Sequence, residues 1–118
     1  MLFSLKKIIK NVSFILVIGL NFHKVEAKNL EIGKKLFTSN CNVCHIGGKN
    51  LIIPEKSLKK EILEANGMNN LNAIIYQVIN GKNGMPAFGG RLEEYEIEEI
   101  ANYVLESAYK IGFEKMDY

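Results

Sequence analysis

The chain has 118 residues, a length that indicates a single domain. Hydrophobic residues make up 47% and charged residues 24%, which are ordinary proportions for a globular protein and argue against a disordered chain. The formal net charge of +2 is too small for a nucleic-acid-binding protein, and two cysteines and two histidines restrict the metal or redox chemistry that the chain supports.

Residues 1–27 have the pattern of a secretory signal peptide. Three lysines within the first ten residues form a positive start, and an apolar run follows from Val12 to Phe22. Val25 and Ala27 are small residues at the −3 and −1 positions of a signal-peptidase site. We therefore expect cleavage after Ala27, which leaves a mature domain of residues 28–118. An uncleaved membrane anchor is the alternative, but a membrane span needs about 20 apolar residues.

The expected cleavage also affects the net charge of the mature domain and indicates the compartment to which the protein is exported. Four of the 15 basic residues but only one of the 13 acidic residues precede Lys28, so the mature domain is close to neutral. Export places the protein in a periplasm or a thylakoid lumen, without a stable membrane anchor. No Ser- and Arg-rich transit peptide precedes the signal, which indicates a bacterial or plastid-encoded gene. The many Ile, Lys and Asn residues have AT-rich codons and favour the plastid.

Helical periodicity dominates residues 28–118, and no segment shows strand-like alternation. The pattern predicts a first helix that ends near Asn40, then a short second helix capped by Ser57. A third helix is capped by Asn69 or Asn70 and ended by Gly81. The fourth helix has the clearest apolar stripe. Its predicted buried positions are Ile97, Ile100, Ala101, Val104, Leu105 and Ala108. The sequence therefore predicts an all-α fold of about four helices.

Residues Cys41 to His45 form the Cys-x-x-Cys-His pattern of covalent c-type haem attachment. On one helical turn, side chains three residues apart lie on the same side. Cys41 and Cys44 are therefore expected to form thioethers with the two vinyl groups of one haem. His45 follows directly and is the expected proximal iron ligand.

Three other kinds of site contain cysteines at this spacing, and each of them fits the sequence less well. A structural zinc site needs four N or S ligands, and the mature domain offers only Cys41, Cys44 and His45, because His23 leaves with the signal peptide. A thioredoxin-like dithiol would accompany a βαβ pattern, which is not seen here. A plain disulfide suits an exported protein but leaves the histidine without a role. Haem attachment is the interpretation that uses all three residues.

A sixth iron ligand is expected from a methionine, with the lysines of the chain as the other candidates. Met116 is too close to the chain end, and Met68 follows His45 by only 23 residues in a linker. Met85 lies in a Gly- and Pro-rich loop, where Gly84 permits close approach and Pro86 stiffens the backbone. With His45 and Met85 on the two faces of the iron, no position remains for a substrate. The expected chemistry is therefore electron transfer and not an enzymatic reaction.

Several stretches on both sides of the motif match one known family. They are Lys59-Lys60, Leu63-Glu64-Ala65-Asn66, Tyr76-Gln77-Val78, Asn80-Gly81-Lys82-Asn83, Met85 to Leu92 and Ala101-Asn102-Tyr103-Val104. With residues 40–45, they resemble the cytochrome c6 family, the soluble photosynthetic class I c-type cytochromes of plastids and cyanobacteria, also called cytochrome c-553. The resemblance covers nearly all of the mature domain, and the stretch that begins at Met85 is its most specific part.

The resemblance implies the class I cytochrome c fold, with helices wrapped around one covalently bound haem c. In that fold the first and last helices cross, and Gly33 and Phe37 match the crossing positions opposite Tyr103. Gln77 matches a position near the haem that tunes its potential, or it is an ordinary surface amide. Arg91 matches a position implicated in docking at photosystem I, or it contacts a propionate or a carbonyl.

The resemblance also implies partners and a location. We expect a monomeric carrier in the thylakoid lumen that takes electrons from cytochrome f of the b6-f complex and gives them to photosystem I. An acidic cluster at the start of the last helix is suited to steering toward basic partner surfaces, or it is an ordinary solvated helix face. The cluster comprises Glu93, Glu94, Glu96, Glu98 and Glu99. The alternative is a bacterial periplasmic cytochrome c that donates to a terminal oxidase or accepts electrons from a dehydrogenase.

The signal-peptide interpretation predicts that the mature protein begins at Lys28. Small residues at −3 and −1 are what signal peptidase recognises, so cleavage is expected after Ala27. N-terminal sequencing of protein purified from its natural source checks this. A mature chain that still begins at Met1 would contradict it.

Overall fold

Helices make up most of the chain that the computed structural model describes, residues 29–113. They are α1 (29–40), α2 (Asn42–His45), α3 (Lys60–Ala65), α4 (Leu71–Asn80) and α5 (Glu94–Glu106). Short 3-10 turns lie at Ile46–Gly48 and Pro54–Lys56, and a π-helical turn, Ser107–Ile111, continues α5. This part of the chain contains isolated β-bridges but no strand, so the all-α prediction is confirmed. The predicted signal peptide lies outside the described residues.

The five helices differ from the predicted four by one short element. α2 is a single turn that holds the cysteine motif, and the apolar spacing gave no indication of it because four residues are too few to show a period. No helix among residues 29–113 has the length and apolar character needed to cross a membrane.

The caps of α4 follow the sequence. Asn70, one of the two predicted caps, accepts a hydrogen bond through its side-chain oxygen from the Ala73 N–H, at 2.9 Å. The helix ends at Gly81, which has a φ of +66°, a left-handed value that glycine adopts without strain. Both predicted boundaries of this helix are therefore confirmed.

The predicted cap of α3 is wrong. The helix begins at Lys60 with Lys59 in the N-cap position, so Ser57 lies before the helix. The Leu58 N–H donates to the Gly48 carbonyl at 2.8 Å, which ties this segment to the loop after α2. Ser57 itself is buried beside that tie, two residues before the N-cap position.

The start of α5 is built from acidic residues. Glu93 is the N-cap, and its N–H donates to the Glu96 carboxylate at 2.9 Å. This reciprocal cap satisfies backbone donors that have no partner within the helix, and negative charge at this end is favourable for the helix dipole. The other end runs through the π-helical turn to Gly112, with a φ of +77°.

The first and last helices cross where Gly33 meets α5. A Cβ at Gly33 would lie 2.9 Å from the Cβ of Tyr103 and even closer to the Glu99 carbonyl oxygen, so only glycine permits this approach. One turn further on, the rings of Phe37 and Tyr103 lie 5.3 Å apart between centroids. The crossing expected from the family resemblance is therefore present.

The core is formed between α4, α5 and the end of α1. Ile97 and Ile100 on α5 are each 1% exposed, and Ile74 and Val78 on α4 pack in the same cluster. Burying an aliphatic side chain of this size contributes about 1.5–3 kcal/mol. Phe113, beyond the π-helical turn, also belongs to this cluster, so the C-terminal segment up to that residue is part of the packed domain.

Replacing Gly33 with alanine is expected to destabilise the fold. Alanine is the better helix former by about 1 kcal/mol, but its Cβ would press on the backbone of α5, and overpacking costs about 1–3 kcal/mol. Guanidinium unfolding should therefore show a lower midpoint for Gly33→Ala. The exposed Lys35→Ala on the same helix is the control and should change little; a Gly33→Ala protein as stable as the wild type would contradict the close crossing.

Candidate haem-binding site

α1 leads directly into the turn that carries the cysteine motif. The Cys41 N–H donates to the Phe37 carbonyl at 2.8 Å, and the Cys41 carbonyl accepts from the N–H groups of Cys44 (3.1 Å) and His45 (2.8 Å). These bonds close one helical turn, which places the two sulfur-bearing residues on the same side. Both line one central cavity.

The two cysteines are separate thiols and not a disulfide. Cys41 is buried, and burial followed by the neighbouring Cys44 raises its pKa from 9.0 to about 11. Redox-active dithiols have the opposite property, a cysteine whose pKa is lowered toward neutrality. The site therefore does not have the electrostatics of a thioredoxin-like dithiol.

His45 is held by a hydrogen bond to the loop that follows it. Its Nδ1 lies 2.9 Å from the carbonyl oxygen of Lys49. A carbonyl oxygen only accepts, so in the neutral ring Nδ1 carries the proton and Nε2 keeps its lone pair. This is the tautomer and the outer contact expected of a histidine that ligates a metal through Nε2. His45 also borders the central cavity.

Met85 reaches the same cavity from a tight turn after α4. Lys82 and Met85 exchange two backbone hydrogen bonds, at 3.0 and 2.9 Å. Asn83 within the turn has a φ of +52°, and a Cβ at Gly81 would come within 2.7 Å of the Ala87 backbone nitrogen. The chain therefore folds back on itself here, and the half-buried Met85 side chain packs against the core.

The cavity has a volume of about 290 Å³ and mainly apolar walls. Its apolar lining includes Phe37, Leu63, Ile74, Val78, Ile100 and Val104. A mostly apolar pocket with a few convergent polar groups is the usual form of a cofactor site. Two thiols, one imidazole and a thioether on the walls of one such cavity are the donor set that haem c requires, so the residues fit the group.

Two residues singled out from the sequence occupy different positions around this cavity. Gln77 is half-buried on α4 and lines the cavity, so it is not an ordinary surface amide. Arg91 is exposed and does not line the cavity; its guanidinium carbon lies 4.8 Å from the ring centroid of Phe88, which does. Arg91 is thus held beside the cavity wall by a cation–π contact.

The structure also places at the cavity a methionine that the sequence disfavoured as a ligand and a lysine that the sequence did not single out. Met68 lines it, although its linker position disfavoured it as a ligand; Met116 lies outside the described residues. Lys56 lines it too, and its ammonium group donates to the Asn66 side chain, which is also on the wall. Sequence spacing holds no signal for these residues, because the loops that place them follow no period.

Comparison with known proteins gives a consistent picture. Residues 28–104 match the family described as cytochrome c oxidase, cbb3-type, subunit III. The chain is 64% identical over 77 residues to a cytochrome c6 of Bumilleriopsis filiformis, covering 65% of this chain and 90% of that protein. It is 58% identical over 84 residues to a cytochrome c6 of Porphyra purpurea, covering 71% of this chain and 76% of that protein.

The fold has a counterpart among solved structures. The cytochrome c6 from the diatom Phaeodactylum tricornutum superposes with a TM-score of 0.65 at 51% sequence identity. The match covers 67% of this chain and 93% of the diatom chain. Residues 28–104, which the family model matches, contain the cysteine motif, and similarity of sequence and similarity of fold both point to a c-type cytochrome.

Proposed function

The chain belongs to the cytochrome c6 family, and we propose that it carries single electrons from cytochrome f of the b6-f complex to photosystem I in the thylakoid lumen. Family membership makes it an electron-transfer protein with covalently bound haem c, and not an enzyme. The shared name of the relatives, at 58–64% identity for the two compared above, supports the photosynthetic role. When bound, haem c supplies a one-electron ferric–ferrous couple.

The proposed attachment uses the α2 turn. Cys41 and Cys44 would hold the group by two thioethers from one side of the turn, and His45 would ligate through Nε2, with its tautomer set by the Lys49 carbonyl. The single observation that carries this assignment is the arrival of these residues and Met85 at one apolar cavity, although they come from opposite halves of the domain.

Met85 is the proposed distal ligand. A methionine thioether favours ferrous iron and raises the potential, which suits a carrier that must accept and release electrons readily. The mainly apolar walls would limit the access of water to the iron, so that its charge would be screened less than in bulk solvent. If His45 and Met85 both hold the iron, this chain leaves no position for a substrate, and the haem would supply one-electron transfer alone.

Met68 provides a matched control for this assignment, since it is a second methionine on the cavity wall. We expect Met85→Ala to abolish the methionine-to-ferric-iron charge-transfer band and to lower the reduction potential strongly. Met68→Ala removes the same chemical group from the wall and should keep the band. Absorption spectroscopy measures the band, and redox titration measures the potential. Loss of the band in Met68→Ala and not in Met85→Ala would reverse the assignment.

The proposed docking surface lies where Arg91 sits beside the cavity wall. Its guanidinium is open to solvent yet fixed over the Phe88 ring, so it presents a positioned positive charge near the redox centre. Glu93, Glu94 and Glu98 form an exposed acidic surface at the start of α5. Such charges act mainly on the rate of encounter and less on affinity. Gln77, on the cavity wall, is proposed as a residue of the haem environment.

The photosynthetic role predicts rapid re-reduction of flash-oxidised photosystem I by the reduced protein. The rate should change with ionic strength, because exposed charges are screened by salt. Arg91→Gln should slow the reaction several-fold at low salt, while the matched charge removal Lys110→Gln, at an exposed ion pair with Glu106, should not. A salt-independent rate, or an equal effect of both variants, would contradict docking through Arg91.

A periplasmic role beside a terminal oxidase is the second candidate, and the name of the matching family model favours it. The iron site would be the same and only the partners would differ. The two roles are separated by offering the reduced protein to photosystem I and to a cbb3-type oxidase under the same conditions. Faster oxidation by the oxidase than by photosystem I would replace the photosynthetic proposal.

A further inference from the structure

The segment after α5 packs against the loop that follows the proposed proximal histidine. Phe113 is 7% exposed, and its ring centroid lies 6.1 Å from that of Phe37 and 6.5 Å from that of Tyr103. The same ring covers Gly48, where a Cβ would come within 2.5 Å of the Phe113 Cγ. Phe113 therefore occupies the space that a side chain at Gly48 would take.

The loop against which Phe113 packs is a short closed turn. Gly48 is buried, with a φ of +74°, and its carbonyl accepts the Leu58 N–H at 2.8 Å. The next residue, Lys49, donates its N–H to the Ile46 carbonyl at 3.1 Å. The carbonyl of Lys49 then accepts from His45 Nδ1 at 2.9 Å. One peptide unit thus separates the glycine under the Phe113 ring from the oxygen that holds the imidazole.

We propose that Phe113 is a positioning residue for His45. By covering Gly48, its ring keeps the closed turn in place and so keeps the Lys49 carbonyl at hydrogen-bond distance from Nδ1. The proposal rests on the proposed role of His45 as the iron ligand. Phe113, 68 positions along the chain from the histidine, thus controls the direction and the basicity of the imidazole.

The physical reason lies in the hydrogen bond at Nδ1. A partner at Nδ1 fixes the tautomer and the ring orientation, and it raises the basicity of the nitrogen that binds the metal. A more basic ligand favours the ferric state and lowers the reduction potential. If the Phe113 ring is lost, the turn at Gly48 gains room to move, the hydrogen bond weakens and the potential rises.

A merely structural role for Phe113 predicts something different. Phe113 belongs to the aromatic cluster of the core, so its truncation lowers the free energy of unfolding in either case. Only the positioning role also moves the potential and the protection of the His45 Nδ1 proton from exchange with solvent. Those two readouts therefore distinguish the two roles.

The C-terminal segment offers a matched control at Tyr109. Its hydroxyl donates to the Glu64 carboxylate at 3.0 Å, which ties the same segment to α3 and not to the histidine loop. Tyr109→Phe removes this tie and keeps the aromatic ring. It should change stability slightly and leave the potential and the Nδ1 proton as in the wild type.

The test compares the haem-loaded wild type with Phe113→Leu, Phe113→Trp and Tyr109→Phe, by redox titration and by NMR of the His45 Nδ1 proton. We expect Phe113→Leu to raise the potential and to speed exchange of this proton several-fold, and Phe113→Trp to restore both values. Gly48→Ala disturbs the turn directly, through its left-handed backbone and through the ring above it, so it tests the link from the turn to the imidazole and should also raise the potential. It tests that link even if the leucine variant does not take up haem.

Two outcomes would overturn the inference. If Phe113→Leu or Gly48→Ala unfolds more readily but keeps the wild-type potential and proton exchange, Phe113 is only a core residue. The inference then fails alone: as long as the spectrum of the wild-type protein shows histidine and methionine ligation, the proposed function stands. If the wild-type spectrum itself lacks histidine ligation, the proposed function fails, and the inference fails with it.

Discussion

The contact between Gly33 on α1 and the backbone of α5 fixes how closely these two helices pack, and the positions of the other elements depend on it. Because no side chain separates the helices there, α5 comes close enough for Phe37 and Tyr103 to pack ring to ring one turn later. α1 then ends at the cysteine turn, while α5 brings Ile100 and Val104 to the wall of the same cavity. A shift of α1 relative to α5 would move the α2 turn, which carries the cysteine motif, away from the cavity wall that α5 provides.

The stability of the domain depends on the cofactor that its central cavity is suited to hold. A chain of this size buries a limited apolar core, and this one leaves a space of about 290 Å³ at its centre. The covalent haem c that family membership implies would fill that centre with apolar surface, and the cofactor would then form part of the core. The proposed ligation by His45 and Met85 would suit electron transfer, since an iron held by two protein ligands would need little rearrangement when its charge changes.

Local patterns in the sequence predicted local structure well. The Asn70 cap, the end of α4 at Gly81 and most of the apolar stripe of α5 depend on residues within a turn or two of one another, and they are present. Leu105 and Ala108, the last two positions predicted to be buried, are only half-buried. The prediction for Ser57 was wrong because a long-range contact overrides its capping tendency: the Leu58 N–H is held by the Gly48 carbonyl across the haem loop. Loop residues such as Met68 and Lys56 reach the cavity for the same kind of reason, through chain reversals that follow no period.

By itself, the sequence determined the chemistry of this protein. The Cys41–His45 motif is specific because three reactive side chains must lie on one turn, and the loop around Met85 carries a family resemblance that the comparisons support. Only the tertiary structure decided which distant groups meet. It placed Met85 and the cysteine turn on one cavity, set the Lys49 carbonyl on the imidazole, and brought Phe113 onto Gly48. These contacts join segments far apart in the chain, and their geometry comes from helix packing, which no local pattern encodes.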